Sequence, residues 1–431
     1  MNYTEAVDFL YTSRASFERD GATGYKPGLE TTLELSRMFG SQHEKFRSIH
    51  VAGTNGKGSV CHVLASILAE SGLKVGLYTS PHFVDFSERI RINGIPIPHE
   101  YIVRFVERYK ASGSALKPSF FELTTILAFN YFAEQNVDVA VIETGLGGRL
   151  DSTNILTPIL SIITGVSYDH TDLLGPTLRD IAREKAGIIK RHVPVVVGEA
   201  QGSVREEIAS RAMDCDAPVV FAQDRPQVLG VSQKYGSLLL KTTEYGLLHT
   251  HWSGKYQEIN INTALCALRV LRLVGFKISK ESVHRGVENV DRNTGFRGRW
   301  TILGERPKVI CDSGHNVGAL TQTIQQLKTY KYKTLRMVLG FMRDKDVSNM
   351  LKLLPGARAV YYFTNANSSR AMLSTELTAK AQALGLRGNS YETVHEAYEA
   401  ALAQAGENDV VFVGGSMYVL AELFAYLDGK K

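Results

Sequence analysis

Apolar runs rich in β-branched residues alternate with segments of helical period through most of the chain. That alternation predicts a parallel sheet covered by helices, because each crossover between parallel strands is made by a helix. Strands are expected at 48–51, 75–78, 137–142, 159–164 and 194–197, with helices at 58–71 and 120–135 among them. From 228 to 251 the pattern shortens to alternating runs such as SLLLK and YGLLHTHW, which predict a small antiparallel sheet, and helices at 259–274 and 279–287 follow. A second alternating series opens at Lys308 with VICD and continues through LRMVLG, ARAVYYF and NDVVFVG. It predicts a smaller, Rossmann-like α/β domain. The turn-rich stretch 291–297, DRNTGFR, has little apolar content and is the expected linker, dividing the chain into 1–293 and 297–431.

Composition narrows the function. At 431 residues the chain exceeds what one core usually serves. Hydrophobic residues at 44% and charged residues at 22% exclude wholesale disorder and fibrous structure. Lys plus Arg outnumber Asp plus Glu by 49 to 44, and the surplus is dispersed. This argues against a nucleic-acid partner and suits anionic small molecules gathered in a cleft. No apolar stretch reaches the roughly 18 residues a membrane helix needs. The opening MNYTEAVDFLYTSR carries acids where a signal peptide would be basic and then apolar, so the cytoplasm is the expected compartment. Cys61, Cys215, Cys266 and Cys311 form no CxxC and read as reduced, buried thiols.

The strand HVA runs into Gly53-Thr54-Asn55-Gly56-Lys57-Gly58-Ser59 and then a helix. A glycine-rich turn entering a helix offers backbone N–H groups and the positive end of the helix dipole to a polyphosphate, and Lys57 adds a mobile charge. The spacing departs from GxxxxGK[ST], since position 51 is Val and Gly58 follows the lysine, so Ser59 would supply the hydroxyl. An ordinary glycine-rich turn is the alternative, and the order strand, lysine, helix favours ATP. The expected class is therefore α/β, with a larger P-loop ATPase domain ahead of the smaller one.

Further along, VAVIETGLGG sets Glu143 at the end of an apolar strand, where ligands of open α/β sheets gather and a carboxylate can hold magnesium. The segment VSYDHTDLLG sets Asp169, His170 and Asp172 beyond another strand. Magnesium prefers oxygen, so on chemistry alone His170 stays open between a metal role and a structural one. Ser80, in YTSPHF, could be a hydroxyl ligand or a turn cap. Lys185, in REKAGIIKR, reads locally as a solvated or ion-paired lysine.

GTNGKGS, YTSPHFVDFSERIRING, VIETGLGGRLDSTN, DHTDLLGPT, EKAGIIK, YQEINI, FRGRW and DSGHN stand in an order and near a spacing that resemble the folylpolyglutamate synthase and dihydrofolate synthase family, within the Mur ligase superfamily of ATP-dependent amide ligases. The resemblance runs from about residue 28 to GGSMY at 414–418. It implies that residues 53–59 hold the ATP phosphates, with Asn260, Arg299 and Asp312 completing the nucleotide site. It also implies that Ser80, Glu143 and His170 ligate magnesium, with two ions expected. Lys185 matches a lysine carbamylated in that family, which turns a cation into a carboxylate-like ligand, and Lys57, His170 and Lys185 become the catalytic set. His315 and Ser416 would serve the substrate from the smaller domain. Tyr256-Gln257 replaces the family's usual HQ, and Asp312-Ser313-Gly314-His315-Asn316-Val317 its DGAHNP.

The implied activity joins L-glutamate to dihydropteroate, to reduced folate, or to both, through an acyl phosphate, in a monomer with no membrane partner. GGRLDSTN resembles the bifunctional bacterial type. There Asp151 could accept from a pterin's ring N–H and amino group while Phe121 stacks on the ring, or Asp151 could simply cap a turn. Two rivals remain. A cell-wall peptide ligase of the Mur type is opposed by SPHFVDFSERIRING and by the lack of a UDP-binding segment ahead of the P-loop. A P-loop ATPase switch would hydrolyse ATP without a ligation product.

Overall fold

The computed structural model describes residues 1–12, 15–24, 26, 28–234 and 236–429. The larger domain is built on β1 (Ser48–Ala52), β2 (Val75–Tyr78), β3 (Ile90–Ile92), β4 (Ile95–Pro96), β5 (Val139–Glu143), β6 (Leu160–Gly165), β7 (Val195–Glu199) and β8 (Val219–Phe221). They lie in the order β4-β3-β2-β5-β1-β6-β7-β8. The strands from β2 to β8 across that order are parallel, and β3 and β4 close one edge antiparallel. Every residue of β1 and β5 is buried. Such strands are rich in apolar residues because helices cover both faces, and the exceptions in β1, Ser48 and His50, are buried polar groups. On one face lies the helix Lys57–Glu70, itself packed beneath the helices Gln257–Leu273 and Lys280–Glu288, which is why it is apolar nearly all round. The helix Phe120–Glu134 covers the other face.

Three further strands, β9 (Val228–Lys234), β10 (Ser237–Thr242) and β11 (Leu247–Thr250), form an antiparallel sheet in the order β11-β10-β9. Its alternate residues Leu238, Leu240 and Leu248 enter the core of the larger domain. The smaller domain carries β12 (Thr301–Glu305), β13 (Lys308–Asp312), β14 (Leu335–Leu339), β15 (Ala359–Phe363), β16 (Gly388–Ser390) and β17 (Val410–Gly414), ordered β12-β13-β17-β14-β15-β16. Only β12 runs antiparallel. An apolar core lies on each side of this sheet.

The expected strands and helices of the larger domain fall within two residues of those observed. The linker differs. Val290–Thr294 is helical and seated on the helix Lys57–Glu70. Thr294 is buried, its hydroxyl 2.7 Å from His62 Nδ1, and Trp252 donates its indole N–H to Asp291 at 2.5 Å. Asp291, Asn293 and Thr294 are thus tied to groups of the larger domain. The crossing is confined to 295–300, where Gly295 (φ 67°) packs on Arg91 and Gly298 (φ 77°) on Phe83. Among the described residues no helix is long and apolar enough to cross a membrane. The four cysteines are buried and unpaired.

Candidate active site between the two domains

The carboxyl ends of β1, β2, β5 and β6 open onto a cleft of ≈ 440 Å³ whose far wall is the smaller domain. That size falls in the range of small-molecule sites, about 300–1,000 Å³. Residues 53–59 turn from β1 into the helix Lys57–Glu70. Thr54 N–H donates to the Gly165 carbonyl (2.8 Å), and its hydroxyl donates to the Ser167 carbonyl and accepts from the Ser167 N–H (both 3.1 Å), which ties the loop to the end of β6. Gly53 has φ 153°, and a Cβ there would stand 1.9 Å from Thr164 Oγ1. Gly56 has φ 87°, and a Cβ there would stand 2.2 Å from Asn260 Oδ1. Glycine at both positions keeps backbone, not side chain, against the cleft, as a polyphosphate cradle requires.

The charges are unevenly balanced. Lys57 Nζ donates to the carbonyls of Gly53 (3.2 Å) and Thr54 (3.4 Å) and stands 3.9 Å from Glu143. Glu143 is buried, which raises its carboxyl pKa, and it accepts the Ser80 backbone N–H at 3.3 Å. Lys185 projects from the helix Leu178–Ala186 and is 3% exposed, so the solvated, ion-paired lysine expected from its neighbours is not what the fold builds. Its Nζ donates to the Gly53 carbonyl (3.0 Å), and burial, reinforced by Lys57, lowers its pKa to about 7.

Past β6, His170 adopts a left-handed conformation (φ 51°) and burial lowers its ring pKa to about 3, leaving a neutral imidazole. Asp169 beside it gathers the smaller domain. Lys345 Nζ lies 2.5 Å from Asp169 Oδ1 and 3.2 Å from His170 Nε2. Asn316 donates to Asp169 Oδ2 (3.2 Å) and to Asn55 Oδ1 (3.0 Å), and His315 Nε2 stands 3.6 Å from Asp169 Oδ2. Burial works against ionising Asp169, yet His315 and the Lys345 ammonium hold it well below the usual carboxylate range.

Asp312 accepts the Tyr256 hydroxyl (2.5 Å) and the Trp300 N–H (2.8 Å) on one oxygen and the Gly314 N–H (2.8 Å) on the other. The tyrosine that departs from the family pattern is therefore a strut between domains. Arg299 donates to the Ser313 hydroxyl, Asn260 donates to Gln257 Oε1 (2.8 Å), and Ser416 caps the helix Met417–Gly429 by accepting from Val419 N–H (3.1 Å). Phe121 packs on Gly145, where a Cβ would stand 2.6 Å from the ring. Asp151 makes the hydrogen bonds of a cap: one oxygen accepts Gly145 and Leu146 N–H (2.9 Å each), the other Thr153 N–H (3.0 Å) and its hydroxyl. It still borders the cleft.

Of the residues singled out from the sequence for the site, all but Asp172 border this one cleft. Asp172 is exposed on the short helix Thr171–Leu174. Sequence reasoning missed Lys345 and Arg370. Lys345 had one available signal, its place in MRDKD just past the end of β14.

A glycine cradle on a parallel sheet, facing a second α/β domain across a cleft with one buried lysine, two half-buried ones and a buried carboxylate, defines a two-domain, P-loop nucleotide-using enzyme. Residues 51–268 match the Mur ligase middle domain, and residues 298–417 match the Mur ligase, glutamate ligase domain. The chain belongs to the folylpolyglutamate synthase/dihydrofolate synthase family of Mur ligases. It is 33% identical over 419 residues to the dihydrofolate synthase/folylpolyglutamate synthase of Bacillus subtilis, covering 93% of this chain and 95% of that one. It is 36% identical over 438 residues to a probable bifunctional folylpolyglutamate synthase/dihydropteroate synthase of Haloferax volcanii, covering 98% of this chain but spanning only 50% of the longer relative. Among solved structures, E. coli FolC in complex with DHPP and ADP is similar with a TM-score of 0.85 and 30% identity over 100% of this chain and 98% of that one. A bifunctional folylpolyglutamate synthase/dihydrofolate synthase with Mn, AMPPNP and L-glutamate bound gives 0.83 and 28% over 99% and 98%.

Proposed function

We propose that this chain uses ATP to join L-glutamate to dihydropteroate, to folate (poly)glutamates, or to both. The observation that carries this reading is the convergence, in one cleft, of the 53–59 cradle with Lys57 and Glu143 from one domain and Arg299, His315 and Lys345 from the other. The substrate's carboxylate attacks the γ-phosphorus of ATP, the bond to ADP breaks, and an acyl phosphate forms. The amine of glutamate then attacks the acyl carbon, phosphate leaves, and the amine loses a proton as the amide is made. Such phosphoryl transfer rests on positioning and charge neutralisation, which the loop N–H groups and Lys57 supply. The smaller domain shields the acyl phosphate from water. Phe121 and Asp151 form the wall proposed for the pterin, with His315 and Ser416 opposite.

The residues fit a divalent cation. Glu143 is a buried carboxylate that accepts one backbone N–H and has Lys57 at 3.9 Å, so its charge is under-satisfied. Glu143, Ser80, His170 and a carbamylated Lys185 would hold magnesium, as two ions, and the metal would neutralise polyphosphate charge as the reaction proceeds. Carbamylation is proposed because Lys185 is half neutral near pH 7 and sits beside Lys57. Its Nζ can attack CO2, forming an N–C bond and releasing a proton, and the anion so formed replaces a repulsion with an attraction. The proposed working unit is a monomer, and the proposed compartment is the cytosol, where the buried thiols stay reduced.

The test is phosphate release with dihydropteroate or tetrahydrofolate, each with and without L-glutamate. Release that needs both acid and glutamate is expected. Turnover without either would instead identify an ATPase switch, and no turnover with either acid would refute the substrate class.

A further inference from the structure

Outside the residues that line the cleft, His249, His251 and Glu288 bring one ligand atom each to within 4.8 Å of one another. His249 lies in β11 and His251 just beyond it, two residues apart and so on one side of an extended chain. Their ring centroids are 5.0 Å apart at 83°. Glu288 ends the helix Lys280–Glu288, and its carboxylate stands 3.0 Å from His249 Nδ1. Asp291, one turn on, is close enough for His251 to act on its carboxyl electrostatically, and one of its oxygens is already anchored by Trp252.

We propose that His249, His251 and Glu288 form a surface site for one transition-metal ion of the zinc class, with water or Asp291 completing the coordination. Two imidazoles with a carboxylate select against magnesium and calcium, which prefer all-oxygen shells, and suit Zn2+, with Co2+, Ni2+ or Cu2+ as substitutes. Around a tetrahedral ion with ligands at about 2.0–2.1 Å, ligand atoms stand about 3.3 Å apart. The His249–Glu288 pair, at 3.0 Å, is close to that spacing, so most of the closing movement falls to the exposed ring of His251. Binding exchanges a hydrogen bond and its proton for ligation, which makes it weaken as the imidazoles protonate. The ion would staple β11 to the helix that leads directly into Val290–Thr294 and the domain crossing.

The experiment titrates Zn2+ into the chelator-stripped full chain by calorimetry, and Co2+ by visible absorption, with excess Mg2+ present. Wild type is compared with His251→Ala and Glu288→Gln. Wild type should bind one equivalent more than His251→Ala, in which affinity at this site falls about 100-fold or more, and Glu288→Gln should show the same loss. Circular dichroism checks that both variants are folded, and their Mg2+-dependent turnover should be unchanged. Equal stoichiometry and affinity in all three proteins would overturn the proposal, as would Zn2+ binding that disappears only on Glu143→Gln.

Discussion

Replacing Lys185 probes the least ordinary group in the cleft. Burial, with help from Lys57, brings its pKa from 10.5 down to about 7, a differential of about 5 kcal/mol against the charged form. A solvent-exposed lysine at pH 7 is neutral in roughly one molecule in 2,500, whereas Lys185 is neutral in about half, so the amine available to CO2 rises about a thousandfold. Because the folded-state value lies below the unfolded one, the unfolded chain holds more protons between about pH 7 and pH 10.5. This group's contribution to stability therefore improves as pH rises through that window and is least favourable below it. Enzyme equilibrated with 13C-bicarbonate should show a carbamate carbon resonance that is missing from Lys185→Ala. Stripping CO2 at pH 6 should abolish turnover, and bicarbonate at pH 8 should restore it. Lys185→Ala should lose about a thousandfold in kcat and regain part of it with acetate, which can refill the space with negative charge. A wild type with no labelled carbon that keeps full activity after CO2 stripping would refute the reasoning.

Lys57→Ala removes a cation whose hydrogen bonds go to backbone carbonyls, so kcat should fall about 100- to 1,000-fold while the unfolding midpoint barely moves; near-normal turnover in a folded variant would remove the loop from catalysis. Lys345→Met leaves Asp169 buried without its closest cation, a change that costs about 3–5 kcal/mol when a buried pair is broken on one side. The expected readout is a larger radius of gyration by small-angle scattering as the domains part, and an unchanged radius would contradict it. Asp151→Ala frees the N–H groups of Gly145 and Leu146, so stability should drop by about 2–4 kcal/mol. Turnover with dihydropteroate should fall further than turnover with tetrahydrofolate, and equal losses would reduce Asp151 to its capping role.

The central strands were legible because burial on both faces leaves β1, β5 and β6 mostly apolar, with Ser48, His50, Ser161 and Thr164 as buried polar interruptions in β1 and β6. β4 and β16 are two and three residues long, have no fully buried residue, and left no pattern to find. The P-loop was legible because its chemistry is contiguous: strand, glycines, lysine and helix arrive in one stretch. Lys185 was not, since its sequence neighbours are charged while its surroundings come from a loop 132 residues earlier; family resemblance, not periodicity, drew attention to it. Lys345 meets Asp169 across 176 residues and a domain boundary, a pairing that no local pattern encodes. The stretch 291–297 reads as polar and turn-rich in one dimension, while in three its buried Thr294 pairs with His62 and its exposed Asp291 accepts from Trp252.

Gly53 and Gly56 have a consequence for the routes by which such a cleft can change. Each is closed to substitution twice over, by a backbone angle that disfavours side chains and by an atom already occupying the space where one would begin. Relieving the second obstacle at position 56 means altering Asn260, itself part of the cleft wall, so no single replacement leads to a working intermediate. Variation in the loop is channelled into Thr54 and Asn55, whose side chains turn toward Ser167 and Asn316. Under the proposed function, altered substrate preference would be reached through the rim, at positions such as Phe121, Lys345 and Arg370, while the cradle stays a fixed landmark from which distant sequences can still be aligned.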